Sequence, residues 1–497
     1  MRSLCLLVVL ATLWASLEAK QPNIVFIITD DQDVKLNSLD VQPKLHSMMI
    51  EEGTFFKNAF VTHPVCCPSR SSTLTGKYTH NHKTYENNVG RGCNAQSWRD
   101  MNEQKTIGAY MTKAGYRTGF FGKYLNNYAL KPSGVNVSHV PPGWSKWFGL
   151  VGNSKFYHYS VSNDGVKETH GNDYKNDYFT DVVKREAIAF IQDAKSNHSE
   201  SPFFMYVSTP APHRPATPAP QYNNTFANRT APRTPSYHFE GKDKHWIIAE
   251  GTPSMTNQTM EIVDQLCRQR WETLLSVQDL VEEVLMTLEK SGFIDDTFIF
   301  YNSDHGYHLG QFNQQGEKRQ PYDEDIRVPL IVRGPGVSKN ATTDMIALNI
   351  DLLPTFLDLA GAAIPEDVDG QSLKNVLMNE QKADEWRSDF LVEYFGEGTP
   401  CMVQMDPQVF RHDCKNNTFV AIRSLETGNN TLYAEFFPTD DAPVDLSTSN
   451  FQEFYDIDKD LWQTKNSVKE LDPKIQAMMK DRLKKFIACS GKSCHMP

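Results

Sequence analysis

Beyond its first residues, the 497-residue chain has no apolar run long enough to cross a bilayer, which excludes a later membrane-spanning helix. An excess of basic residues is also missing. With 50 Lys and Arg against 61 Asp and Glu, the net charge is -11, and nucleic acid is disfavoured as a partner. There is no internal repeat, coiled-coil heptad or low-complexity tail, so neither a solenoid nor a disordered scaffold is expected. What remains is 39% hydrophobic and 22% charged, the composition of a soluble globular protein with a sizeable core, best divided into two packed units. An acidic body is a poor host for an anionic substrate, so a site for one must be locally basic. At acidic pH the 15 histidines would gain charge and relieve that conflict.

The chain opens with Met1-Arg2 and the apolar run Leu4 to Trp14, the basic start and core of a signal peptide over residues 1–19, with cleavage near Ala19. Asn-X-Ser/Thr sequons begin at Asn136, Asn197, Asn223, Asn228, Asn257, Asn340, Asn416 and Asn429, which fits a glycoprotein of the secretory pathway. Cys5 leaves with the signal, and the oxidising route favours disulfides among the other cysteines. Cys489 with Cys494 and Cys401 with Cys414 are close enough for small loops, although connectivity stays open. The adjacent pair Cys66-Cys67 needs a separate explanation.

Apolar runs at Asn23–Thr29, Gly119–Gly122, Phe203–Ser208, Thr297–Asn302 and Val328–Val332 read as buried strands of a mainly parallel sheet. Between them, Met260–Lys290 carries Val263, Leu266, Leu274, Val277, Val281, Val284 and Leu288 at helical spacing. Strands alternating with helices imply an α/β sandwich over 20–377. From about 378 to 497 the pattern changes to short strands at Phe390–Tyr394, Phe419–Arg423, Leu432–Phe437 and Glu453–Asp456, then an amphipathic helix near Pro473–Ile487. That is the pattern of a smaller α+β unit with an antiparallel sheet. The stretch Thr209–Pro235 reads as a glycan-bearing loop. Open α/β sheets bind ligands beyond the carboxyl ends of their strands, and here Asp30-Asp31 and Asp304-His305 follow two strands.

Cys66-Cys67-Pro68-Ser69-Arg70, continuing Ser71-Ser72-Thr73-Leu74-Thr75-Gly76-Lys77, resembles the signature of formylglycine-dependent sulfatases. The competing reading is a buried cysteine pair or a disulfide beside a Pro-Ser turn. The resemblance implies an alkaline-phosphatase-like fold and oxidation of Cys66 to formylglycine by the formylglycine-generating enzyme. The chemistry suits the substrate: a sulfate ester repels ordinary nucleophiles, whereas an aldehyde hydrate offers one hydroxyl for attack and a second to expel sulfate. The family holds a divalent cation, usually calcium, at places matching Asp30, Asp31, Cys66, Asp304 and His305. The last is often Asn, and imidazole is a softer ligand than calcium prefers. An Asp-Asp pair alone would more often be an ordinary strand-end turn. Arg70 matches the guanidinium that neutralises charge, Lys123 and Lys318 the lysines on sulfate oxygens, and His213 the acid near the leaving oxygen. Taken singly, each lysine would more often be solvated and the histidine a loop residue. Where many sulfatases have the histidine that frees sulfate, this chain has Leu125, so that base is unassigned; His80 and His82 are near only in sequence.

Longer stretches, among them Cys66–Asn81, Gly122–Asn126, His139–Trp144, Asn302–Gln311 and Lys318–Gly336, resemble the branch that removes the 6-sulfate of N-acetylglucosamine in heparan and keratan sulfate. Heparan endosulfatases share much of this but carry a long basic insertion that is missing here, which favours action at the chain end. The resemblance implies a sulfated glycosaminoglycan substrate, a lysosomal or secreted destination, and room for a homodimer. Three other readings stay open: an endosulfatase-like or other sulfatase specificity, a phosphatase or phosphodiesterase of the same superfamily, and a non-catalytic glycan-binding relative.

Overall fold

The computed structural model describes residues 20–250, 254–398, 413–426, 428–439 and 441–496; the expected signal segment and Cys401 lie outside them. Most of the apolar runs become strands where the sequence places them. β1 (Asn23–Asp30), β2 (Thr54–Phe56), β3 (Arg117–Gly122), β4 (Lys146–Leu150) and β5 (Ser160–Asn163) belong to one ten-stranded sheet. So do β6 (Val166–Thr169), β7 (Phe203–Pro212), β8 (Thr297–Ser303), β9 (Leu330–Arg333) and β10 (Ala341–Thr343). The strand order is β10-β2-β9-β8-β1-β7-β3-β4-β5-β6, and the centre, from β8 to β4, is parallel. β1, β7 and β8 are buried at every position, which is why they read as unbroken apolar runs rather than alternating ones.

The two faces of β1 feed two cores. Val25 and Ile27 pack under α2 (Phe179–Asn197) and α3 (Asn257–Lys290), with Val183, Val277 and Val281. Ile24, Phe26 and Ile28 face the other layer, where Phe356 of α4 (Leu352–Leu359) stacks edge-on to Phe300. One expectation shifts: the run 328–332 forms β9 at 330–333, and it lies antiparallel to β8 and β2. The link from β8, residues 304–329, contains one four-residue helix, Asp323–Ile326, and brings the chain back into the sheet from the edge at which β8 ends, which makes the pairing antiparallel.

β11 (Asp389–Tyr394), β12 (Thr418–Glu426), β13 (Asn429–Phe437) and β14 (Phe451–Asp456) form the antiparallel sheet, in chain order. α5 (Pro473–Ile487) starts as expected of its sequence: Asp472 caps the Lys474 N–H and Pro473 takes the first position. It buries Leu483 and Phe486. The core continues into this sheet through Phe60 and Phe390, whose rings lie 4.9 Å apart. Cys489 is bonded to Cys494, as the spacing suggests. Among the described residues, no helix is long and apolar enough to cross a membrane.

His80 ties the two layers together by pairing with Glu393 of β11 at 2.9 Å and with the Cys489 carbonyl at 3.0 Å. Burial pulls the imidazolium down, but the Glu393 carboxylate and these hydrogen bonds reverse the effect and hold it up at about 9. A raised pKa contributes stability that is full below the unfolded value and is lost as pH climbs through the folded one. Stability is therefore expected to fall by roughly 3 kcal/mol between about pH 6.5 and pH 9 on account of this pair. Urea midpoints measured across that range should fall less steeply for His80→Gln.

Candidate active site

Four neighbouring parallel strands, β8-β1-β7-β3, end along one edge, and the candidate residues leave from those ends. Thr29 pairs with Ser303, so Asp30-Asp31 and Asp304-His305 emerge side by side. Asp30 pairs in turn with Pro212, which brings His213 alongside. Lys123 follows Gly122, whose φ of 114° and contact with the Ser208 carbonyl leave no room for a Cβ. Asp31 takes a left-handed φ of 74°, held by its N–H donating to Asp304 Oδ1 and by Arg270 donating to its carbonyl.

The signature segment forms α1 (Cys66–Thr75), a helix buried along its whole length. Some of its hydroxyls find partners, Ser69 donating to the Asp304 carbonyl and Thr75 to the Ser71 carbonyl, whereas Ser71 Oγ and Thr73 Oγ1 are buried with none among the described residues. Pro68 sits in the first turn, where a missing N–H costs nothing, and Asn87 accepts from the Cys67 N–H at 2.9 Å. Gly76 ends the helix at φ 67°. Cys67 is bonded to Cys93, which explains the adjacent pair: Cys66 is left as the free, buried thiol at the helix's positive end.

Around that thiol the charges interlock. Arg70 donates through Nε to Asp304 Oδ2 at 2.8 Å, and through Nη1 to Ser208 Oγ and the Lys123 carbonyl. Lys123 Nζ lies 2.7 Å from Asp30 Oδ2, and Lys318 Nζ lies 2.9 Å from Asp31 Oδ1. His305 places Nε2 at 3.4 Å from Cys66 Sγ, while its Nδ1 is 2.8 Å from the Gly306 carbonyl. Burial would raise the Cys66 thiol, but Lys123 and Lys318 outweigh it and hold the pKa well below the usual thiol value. Burial lowers His213, whereas Asp31 and Asp30 draw it above the ordinary histidine value.

Asp30, Asp31, Cys66 and His305 offer ligand atoms within 4.8 Å of one another, a group able to hold a cation. Asp304 adjoins this group, with Oδ1 taken by the N–H groups of Asp31 and His305 and Oδ2 by Arg70. Arg70, Lys123, Lys318 and His213 are thus brought together with the cation group. His80 and His82 are not: His82 bonds Ser72 and the Thr84 N–H, while His80 bonds Glu393. Leu125 is a core residue.

Three contributors escape the sequence reading. Arg270 of α3 also donates to the Pro212 carbonyl, so one guanidinium steadies both the Asp31 turn and the strand end before His213. A signal was present, because Arg270 falls on the helix's apolar stripe between Leu266 and Leu274. Ser154, which bonds Asp30 Oδ2, and Ser208, which bonds Arg70, carry no such mark.

Residues 22–362 match the family described as Sulfatase, and residues 310–421 match the one described as N-sulphoglucosamine sulphohydrolase, C-terminal. The chain is 42% identical to the N-acetylglucosamine-6-sulfatase of Capra hircus, over 96% of this chain and 86% of that one. It is also 42% identical to the extracellular sulfatase SULF-1 homolog of Drosophila melanogaster, over 77% of this chain and 34% of that longer protein. A solved structure described as in complex with its substrate D-glucosamine-2-N,6-O-disulfate matches with a TM-score of 0.73 and 24% identity, covering 94% of this chain and 97% of that one.

Proposed function

The chain belongs to the sulfatase family, and from that premise we propose that it removes the 6-sulfate of N-acetylglucosamine in heparan and keratan sulfate, with residue 66 as nucleophile after conversion to formylglycine. The observation that carries this reading is the meeting of three buried cations, Arg70, Lys123 and Lys318, at one free thiol in a chain of net charge -11. Each of these cations faces an aspartate, so a divalent cation held by the carboxylates would leave the pocket with the positive charge that the composition demands.

The residues suit a divalent cation. Asp30 Oδ1 is buried without a hydrogen-bond donor, an expensive state that a cation would relieve. With Nδ1 donating to the Gly306 carbonyl, His305 would turn the Nε2 lone pair toward the same space. Asp30, Asp31 and His305 would hold the ion beside residue 66, with Asp304 bracing them, and the carboxylates favour calcium. When present, the cation and the formylglycine hydrate supply an activated hydroxyl for attack and a second hydroxyl through which sulfate leaves.

The chain's own groups do the rest. The amino end of α1 and Arg70 hold negative charge at residue 66. Lys123 and Lys318 donate to the sulfate oxygens as charge builds. His213, half-buried at the end of β7, gives its proton to the departing sugar oxygen. Six of the eight sequon asparagines are exposed and Asn416 and Asn429 are half-buried, which fits a glycoprotein delivered through the endoplasmic reticulum to lysosomes or the exterior.

Purified from a eukaryotic host, the protein is expected to release sulfate from N-acetylglucosamine 6-sulfate and to leave the matching phosphate ester nearly untouched. Stripping divalent ions with a chelator should remove at least nine-tenths of that activity, and added calcium should restore it. Faster turnover of the phosphate ester, or none of the sulfate ester, would refute the reading.

A further inference from the structure

Two adjoining cavities run away from the site. The nearer, of about 1000 Å³, begins at Ser154, the residue whose hydroxyl bonds Asp30, and passes Thr217, four residues beyond His213. The farther, of about 620 Å³, extends over the hairpin of β5 and β6 to Lys167. Lys155 and His158 belong to both, so the two form one trough that starts a single side chain from the cation group; the sequon asparagines Asn136 and Asn223 also line it, so a glycan on either would lie alongside a bound ligand.

Its charge is out of keeping with the rest of the molecule. The chain has 61 acidic residues, yet no carboxylate lines either cavity. The ionisable residues there include Lys155, Lys167, His158 and His170. His170 pairs with Asp177 at 3.3 Å, whereas Lys155 and Lys167 are exposed and have no ion pair among the described residues. Glu168, next to Lys167, points to the opposite face of its strand and accepts from Asn163. Lys155 stands between two buried residues, Ser154 and Phe156, so its backbone is anchored while its ammonium stays free. A lysine on an edge strand commonly guards against strand pairing, which would account for Lys167. It does not account for Lys155, nor for a trough without acids.

We infer that this trough binds the sulfate and carboxylate groups of the sugars neighbouring the one being desulfated, with Lys155 and Lys167 as the binding residues. The inference takes its ligand class from the sulfatase reading above. It makes the protein an enzyme that prefers a sulfated oligosaccharide to a single sugar, because ammonium groups held without partners gain charge-assisted hydrogen bonds from a second anion. It also gives the acidic chain a cationic path leading into its site.

The test compares a monosaccharide, N-acetylglucosamine 6-sulfate, with a heparan-derived tetrasaccharide that ends in the same residue. The wild-type protein should favour the tetrasaccharide in kcat/KM, and rising salt should erode the preference. Lys155→Ala with Lys167→Ala should raise KM for the tetrasaccharide about tenfold and leave the monosaccharide constants unchanged, while Lys155→Arg with Lys167→Arg should keep the preference. A wild-type enzyme without the preference, or equal losses on both substrates, overturns the inference. A second arm needs no turnover: tetrasaccharide binding to Cys66→Ala protein should weaken about tenfold when both lysines are also replaced. If the terminal sugar is not the substrate, neither compound is turned over, yet this arm still decides; equal binding with and without the lysines defeats the trough proposal on its own.

Discussion

Cys66→Ala protein should fold normally and release no sulfate. The rate is expected to fall by roughly a thousandfold or more, the scale of losing a nucleophile whose surroundings are intact. The substitution is mild for the fold: alanine is the best helix former, and only one buried sulfur is removed from the first turn of α1. Cys67 cannot take over, because its sulfur is bonded to Cys93. Activity loss with an unchanged far-ultraviolet spectrum and melting curve would separate a chemical role from a structural one. Mass spectrometry of the peptide spanning residue 66 in wild-type protein is the companion measurement. An unmodified thiol there in fully active protein would sink the mechanism, and so would substantial activity in the variant.

Asp323→Ala is expected to cost about 3–5 kcal/mol of stability, the usual penalty for removing one partner of a buried ion pair. Asp323 lies in the link between β8 and β9, and Arg423 on β12 reaches it through Nε at 2.9 Å. Both are almost fully buried. Without the carboxylate, the guanidinium keeps hydrogen bonds to the Ser424 carbonyl and to Asn430 but loses its compensating charge. Burial would raise Asp323, yet Arg423 outweighs it and holds the carboxyl down at about 2, the direction expected of a pair that stabilises the ionised form. The urea midpoint of the variant should drop sharply, and adding Arg423→Met should recover much of the loss. A midpoint shift near zero in the single variant would show that the pair contributes nothing.

Much of this molecule is legible without coordinates. Strands buried on both faces declare themselves as apolar runs, and the stripe of α3 declares itself at threes and fours, because both patterns record what each side chain must bury. Cys66, Arg70 and the aspartates at the strand ends stand out because few residue types could perform the chemistry proposed for them. The antiparallel turn of β9 was not legible, since an apolar run does not say in which direction its neighbour runs. Nor was the Cys67–Cys93 bond, which depends on the first turn of α1 meeting a turn 26 residues further along the chain.

Residue chemistry settles what Cys66, Asp30, Asp31, Lys123 and Lys318 are able to do, along with the elements that carry them. Tertiary structure decides which of them meet. The register Thr29–Ser303 sets Asp31 beside Asp304 across 273 residues of chain, and Arg270 arrives from a helix to lock the turn. It also pairs each lysine with its own aspartate and opens an acid-free trough beside them. The reason is physical: periodicity and propensity act over a few residues, whereas a Coulomb interaction depends only on distance in space, and distance is fixed by how the strands pair.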